Sequence, residues 1–153
     1  MTPKLIATDL DGTLLQDDKR LSPANRLSLE HAAAQGCQVV PATGRMLHAI
    51  PQVLLDLPFL RFFILMNGAQ VLDRKTGHVL YRCEIPTNIA LEIFYLLKSA
   101  NCTVDCFQND QGWMERRYYD HLEDYISDPA ARSLTRHSRI PVEDLSQAIR
   151  SGG

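Results

Sequence analysis

Apolar and polar residues alternate along this chain in two rhythms, one of strands and one of helices. Lys4–Leu10, KLIATDL, is a short apolar run with β-branched residues and predicts a buried parallel strand. Ser22 then Pro23 marks a helix start, a side-chain cap followed by a proline at the first helical position. PANRLSLEHAAAQ continues that helix with Leu27, His31 and Ala34 on one face, and Gly36 supplies the stop. CQVVPAT (Cys37–Thr43) predicts a second strand, GRMLHAIPQVLLDL a second helix kinked or restarted at Pro51, and RFFILMN a third strand. This strand–helix–strand–helix–strand order predicts an α/β fold with a right-handed parallel sheet.

The rhythm then changes. AQVLDRKTGHVLYRCEI is two alternating runs around Lys75-Thr76-Gly77, a hairpin pattern. PTNIALEIFYLLKSAN is a strongly apolar helix, and CTVDCFQND and GWMERRY read as strands joined by an NDQG turn. YDHLEDYISDP reads as a surface helix ended by Pro129. After Ala130 only VEDLSQAIR carries a pattern, that of a short last helix. The seam falls between Tyr81 and Pro86, which divides the chain into residues 1–84 and a second α/β unit, residues 85–153.

Composition narrows the function classes. With 153 residues, 45% hydrophobic and 22% charged, the chain can bury a real core. A net charge of −2 gives no electrostatic basis for binding nucleic acid or an anionic membrane. No apolar run approaches the roughly 20 residues of a membrane-crossing helix, and the N-terminal run lacks signal-peptide architecture. Cys37, Cys83, Cys102 and Cys106 include no Cys-x-x-Cys pair and read as reduced thiols of a cytoplasmic protein.

The chemistry lies at the strand ends, where open parallel sheets bind ligands. The first strand ends in Asp9-Leu10-Asp11-Gly12-Thr13, the second in Thr43-Gly44-Arg45 and the third in Asn67-Gly68-Ala69. Two carboxylates at the end of a buried strand must be paired, hydrogen-bonded or metal-bound. The two-residue period puts Asp9 and Asp11 on one side of an extended chain. There one could attack as a nucleophile and the other move a proton, with Mg²⁺ as a fitting hard cation. Thr43 would offer a hydroxyl beside the N-terminus of the next helix, a favourable place for phosphate. From the loop alone, a capping turn or a calcium-type loop explains Asp-x-Asp-Gly about as well. The two other polar strand ends shift the balance toward a phosphate site.

The same residues carry a resemblance. DLDGTLL resembles the first motif of the haloacid dehalogenase-like (HAD) hydrolases, ATGR resembles their second, and NGA after the third strand is similar to the Cof-like sugar-phosphatase branch. The resemblance implies a HAD-like Rossmannoid sheet over residues 4–85 and, beyond Pro86, the start of an α/β cap. It implies a phosphatase acting on small phosphorylated metabolites such as sugar phosphates. Asp9 would be the nucleophile and a Mg²⁺ ligand. Asp11 would protonate the leaving group, then activate water, and its backbone carbonyl would also bind the metal. Thr43 would hold the phosphoryl group and Gly44 add a backbone N–H, while Arg45 and Asn67 would either meet substrate or fix the loops. His48, His121, Trp113 and the Tyr118-Tyr119 pair read more simply as surface or packing residues.

The chain departs from the family in two respects. The family's post-cap lysine, which would neutralise the nucleophile and phosphate, and the acidic pair that would complete the Mg²⁺ shell have no counterpart; the last lysine is Lys98. The expectation is therefore half of a catalytic core plus part of a cap, a poor phosphatase on its own, with the edge of strand one open to self-association. The alternatives are a catalytically incomplete module that binds phosphate or a partner and, more remotely, a receiver-type phospho-acceptor.

Overall fold

The structure, a computed structural model, describes residues 3–100 and 102–151. It divides into two compact units, one within residues 1–84 and one within residues 85–153.

In the first unit β1 (Leu5–Thr8) pairs in parallel with β2 (Gln38–Pro41), Leu5 opposite Gln38 and Thr8 opposite Pro41. Beyond β2, Ala42 forms a parallel bridge with Ile64 of β3 (Phe62–Leu65). β3 pairs antiparallel with β4 (Gln70–Asp73), and β4 with β5 (His78–Arg82) across the turn at Lys75–Gly77, with a bulge at Val71/Leu72. The α/β class expected from the sequence is the class observed.

Helix α1 (Pro23–Ala34) joins β1 to β2. The Ser22 hydroxyl accepts from the Asn25 N–H at 3.1 Å, and Pro23 occupies the first turn, where its missing N–H costs nothing. The face shared by Leu27, His31 and Ala34 points to solvent, with Leu27 68% exposed. The Asn25 amide donates to the Leu14 carbonyl at 2.9 Å. Asn25 shares a face with Leu29 and Ala32, at i, i+4 and i+7, and the latter two pack into the core.

Three other expectations are corrected. β1 is not a buried strand: all its residues are exposed or half-exposed, because it pairs only with β2 among the described residues. The single long helix after β2 is a 3₁₀ turn (Leu47–Ala49) and a four-residue α2 (Gln52–Leu55). Pro51 forces extended backbone on Ile50, so the two cannot join. Thr43 therefore does not precede an α-helix N-terminus.

The core of the first unit is a layer of aliphatic and aromatic side chains. Leu10, Leu54, Leu60, Phe63 and Leu65 are fully enclosed there, with Val39 and Leu57 nearly so. Leu10 and Leu65 bring it directly against the first and third strand ends.

In the second unit α3 (Thr87–Lys98) and α6 (Leu145–Ser151) cover a sheet of β6 (Asp105–Gln108), β7 (Gln111–Glu115) and β8 (Arg139–Val142). β6 and β7 form a hairpin, and β7 and β8 are parallel. Asn109 and Asp110, at φ 51° and 58°, make the hairpin turn, so Gln111 and Gly112 of the expected NDQG turn belong to β7. Trp113 packs with Leu91, Phe94, Leu145 and Ile149; Tyr118 packs with Met114 and Leu122.

Pro129 begins a helix instead of ending one. Asp128 accepts from the N–H groups of Ala130 and Ala131, both at 3.1 Å, and starts α5 (Pro129–Ser138). The expected surface helix before it is a short α4 (Arg116–Tyr119) and a 3₁₀ turn that buries Leu122. No helix among the described residues is long and apolar enough to cross a membrane.

Candidate active site

Three loops meet above the first unit's core. Asp9, Ala42, Thr43, Gly44, Ile64, Asn67 and Gly68 line one cavity of about 300 Å³. Each of the three strand ends singled out in the sequence contributes.

Backbone bonds register the loops. The Thr43 N–H donates to the Ile64 carbonyl at 2.9 Å, the Asn67 N–H to the Thr43 carbonyl at 3.0 Å, and the Met66 N–H to the Arg45 carbonyl at 3.2 Å. Thr43 is buried at 6% exposure, and its Oγ1 accepts from the Arg45 N–H at 3.2 Å. Its hydroxyl proton has no acceptor among the described residues and is free to meet a ligand. A Cβ at Gly44 would lie 2.9 Å from Asn67 Oδ1, so a larger residue there would displace the Asn67 side chain from its place over the loop. Gly12, at φ 77°, lets the chain reverse directly after the two aspartates.

The two aspartates have different surroundings. Asp9 is exposed, and its Oδ2 accepts from the Thr13 hydroxyl at 3.4 Å. Asp11 is held by two cations. Arg45 Nε donates to Asp11 Oδ2 at 2.8 Å and Arg45 Nη2 to Oδ1 at 2.7 Å, while Lys19 Nζ donates to Oδ1 at 2.9 Å. The third arm of Arg45, Nη1, donates to the Ala49 carbonyl at 2.7 Å. These bonds, Arg45 foremost, bring the Asp11 carboxyl down to about 2, against partial desolvation that pushes it up. The same pairing raises Arg45 above its ordinary value. The like charges that the sequence sets two residues apart are thus separated in role: Asp11 is neutralised, and Asp9 faces the cavity.

Lys19 was not legible as a site residue. It sits at φ 63° in the reversal after Asp17-Asp18, a left-handed position that no local pattern announces. His121 is exposed and Trp113 and Tyr118 are core residues.

For a divalent metal, the chemistry of the donors fits in part. The Asp9 carboxylate and the Asp11 backbone carbonyl are hard oxygen donors suited to Mg²⁺. Among the described residues no group of three His, Cys, Asp or Glu side chains gathers to hold an ion, so water and substrate would supply the remaining ligands.

The sequence profile of the haloacid dehalogenase-like hydrolases matches residues 6–147. The chain belongs to this family. Among relatives of this HAD-like chain, the 5-amino-6-(5-phospho-D-ribitylamino)uracil phosphatase YcsE of Bacillus subtilis is 40% identical over 70 residues, 46% of this chain and 28% of that one. The HMP-PP phosphatase of Cronobacter sakazakii is 29% identical over 149 residues, 94% of this chain and 53% of that one. A solved haloacid dehalogenase-like hydrolase from B. subtilis superposes with a TM-score of 0.72 at 25% identity, covering 95% of this chain and 56% of its own. The HAD-like chain thus spans about half or less of the length of these relatives.

Proposed function

We propose that this chain carries the nucleophile and phosphate-binding loops of a Mg²⁺-dependent phosphatase for small phosphorylated metabolites, sugar phosphates among them. The observation that carries the reading is the single cavity shared by Asp9, Thr43, Gly44 and Asn67 from three separate strand ends. The family match and the phosphatase relatives support it. Residues 1–84 would be half of the catalytic core and residues 85–153 part of a cap.

In this reading an Asp9 oxygen attacks phosphorus while the P–O bond to the leaving group breaks, giving an aspartyl-phosphate. The leaving oxygen takes a proton from Asp11. Water then attacks phosphorus, its proton passes to Asp11, and the P–O bond to Asp9 breaks. Thr43 donates its hydroxyl to the phosphoryl group and the Gly44 N–H can add to it. Asp9 and the Asp11 carbonyl would hold Mg²⁺, which supplies charge neutralisation for the phosphoryl oxygens. With Arg45 and Lys19 in place Asp11 is a carboxylate at neutral pH, the state needed to activate water. Its acid half-reaction requires those contacts to loosen when substrate arrives.

A second reading, an incomplete phosphate-binding module, is favoured by the lack of an acidic metal cluster among the described residues. Hydrolysis of an aryl phosphate by the chain with Mg²⁺ decides between them. Turnover that disappears in Asp9→Asn while the fold persists supports the phosphatase; turnover unchanged in that variant refutes the nucleophile. The open edge of β1 is further proposed to pair with a second copy.

A further inference from the structure

The turn after β3 is left-handed over three successive residues: Met66 at φ 53°, Asn67 at φ 55° and Gly68 at φ 96°. Glycine accepts this conformation freely and asparagine tolerates it, but methionine does not. Strain of this kind persists where surrounding contacts over-determine it, and such places cluster at ligand clamps.

Here the contacts that fix the turn are main-chain bonds. The Met66 and Asn67 N–H groups donate to the Arg45 and Thr43 carbonyls. Any residue could supply them, so ordering the loop does not require the Asn67 side chain. That side chain lies over Gly44, with Oδ1 2.9 Å and Nδ2 3.3 Å from where a Cβ would stand. Its carboxamide is exposed, lines the cavity with Asp9 and Thr43, and makes no hydrogen bond among the described residues. Arg45, the nearby cation, is already committed to Asp11 and Ala49.

We infer that Asn67 is a phosphate-contacting residue of this site, its carboxamide N–H₂ donating to a non-bridging oxygen of the bound phosphoryl group. The inference rests on the phosphatase reading and adds a donor from the third strand end to those of Thr43 and Gly44. A neutral donor suits the position, because it can face the anionic phosphoryl group without pairing with Asp9.

The test is a titration of the full chain with inorganic phosphate in Mg²⁺ buffer, read by two-dimensional ¹H–¹⁵N NMR. The Asn67 N–H₂ pair, assigned by its loss in Asn67→Gly, should shift together with the Thr43 and Gly44 amides. Asn67→Gly should keep or raise Tm, since glycine fits φ 55°, and bind phosphate about tenfold more weakly, the scale of one charge-assisted hydrogen bond. An unmoved Asn67 pair beside shifting Thr43 and Gly44 amides overturns this inference alone. So does phosphate binding by Asn67→Gly within twofold of wild type, or a fall of more than about 5 °C in its Tm, which would mark a loop-ordering role. Absence of any shift at Thr43 and Gly44 in the wild type overturns the phosphatase reading and this inference with it.

Discussion

Replacing Arg45 with alanine removes three hydrogen bonds, two of which tie the second loop of the site to the first. Two go to the Asp11 carboxylate at 2.8 and 2.7 Å, and one goes to the Ala49 carbonyl at 2.7 Å. The Arg45 side chain is 14% exposed and that of Asp11 37%. The pair therefore lies between exposed ion pairs, worth roughly 0–1 kcal/mol, and buried ones, where loss of one partner costs roughly 3–5 kcal/mol. Water can reach Asp11 once the guanidinium is gone, so the lower half of that interval applies. We expect Arg45→Ala to cost about 2 kcal/mol, with about 1 kcal/mol of it appearing as coupling to Asp11 in a double-mutant cycle with Asp11→Ala. Arg45→Lys should recover less than half, because an ammonium cannot reproduce a fork aimed at two carboxylate oxygens and a carbonyl. Fluorescence of Trp113, the one tryptophan, would report the second unit. Native-state hydrogen exchange at β2 and β3 amides reports the first and is the appropriate assay. A coupling below about 0.3 kcal/mol, the margin within which independent sites add, would refute the clamp.

Leu54→Ala should destabilise the first unit by about 2–5 kcal/mol, since Leu54 is fully enclosed; a loss under about 1 kcal/mol in the same exchange assay would contradict that packing. Hydrogen bonds from Arg61 hold the Asp73 carboxyl down to about 2 from 3.8, so the unfolded chain takes up the proton first. Stability from this pair is complete above about pH 4 and declines as pH falls toward 2, and Asp73→Asn should flatten that limb in Tm measured across the range; an unchanged limb would refute it. Asp128→Ala should cost about 1 kcal/mol through loss of the α5 cap, read from amide exchange in α5. Sedimentation should show self-association that weakens when a lysine replaces the 58% exposed Leu5 on the open β1 edge; a clean monomer at all concentrations would refute pairing there.

How much of this was written in the chain depends on the range of the interaction concerned. The strands β1, β2 and β3, the hairpin at Lys75–Gly77, α3 and the start of α1 were legible because each depends on neighbours a few residues away. So were the strand-end residues now lining the cavity, because a parallel sheet carries its loops to one edge whatever their sequence. A proline can close one helix or open the next, and at Pro129 a local cap decides for opening, since Asp128 bonds N–H groups two and three residues on. Elsewhere local signals were ambiguous and tertiary contacts decided. Helix α1 has apolar residues on more than one face, and the inward one is that of Leu29, which packs into the core on the side where Asn25 bonds the Leu14 carbonyl. The clamp of Asp11 by Arg45 and Lys19 spans 34 residues on one side and 8 on the other. No periodicity records such a meeting; it exists only once the sheet has brought the second loop against the first. The sequence by itself determined which groups are available to do chemistry. Folding decided that Asp9 faces the cavity and Asp11 is paired, because a carboxylate's role is set by the charges packed around it.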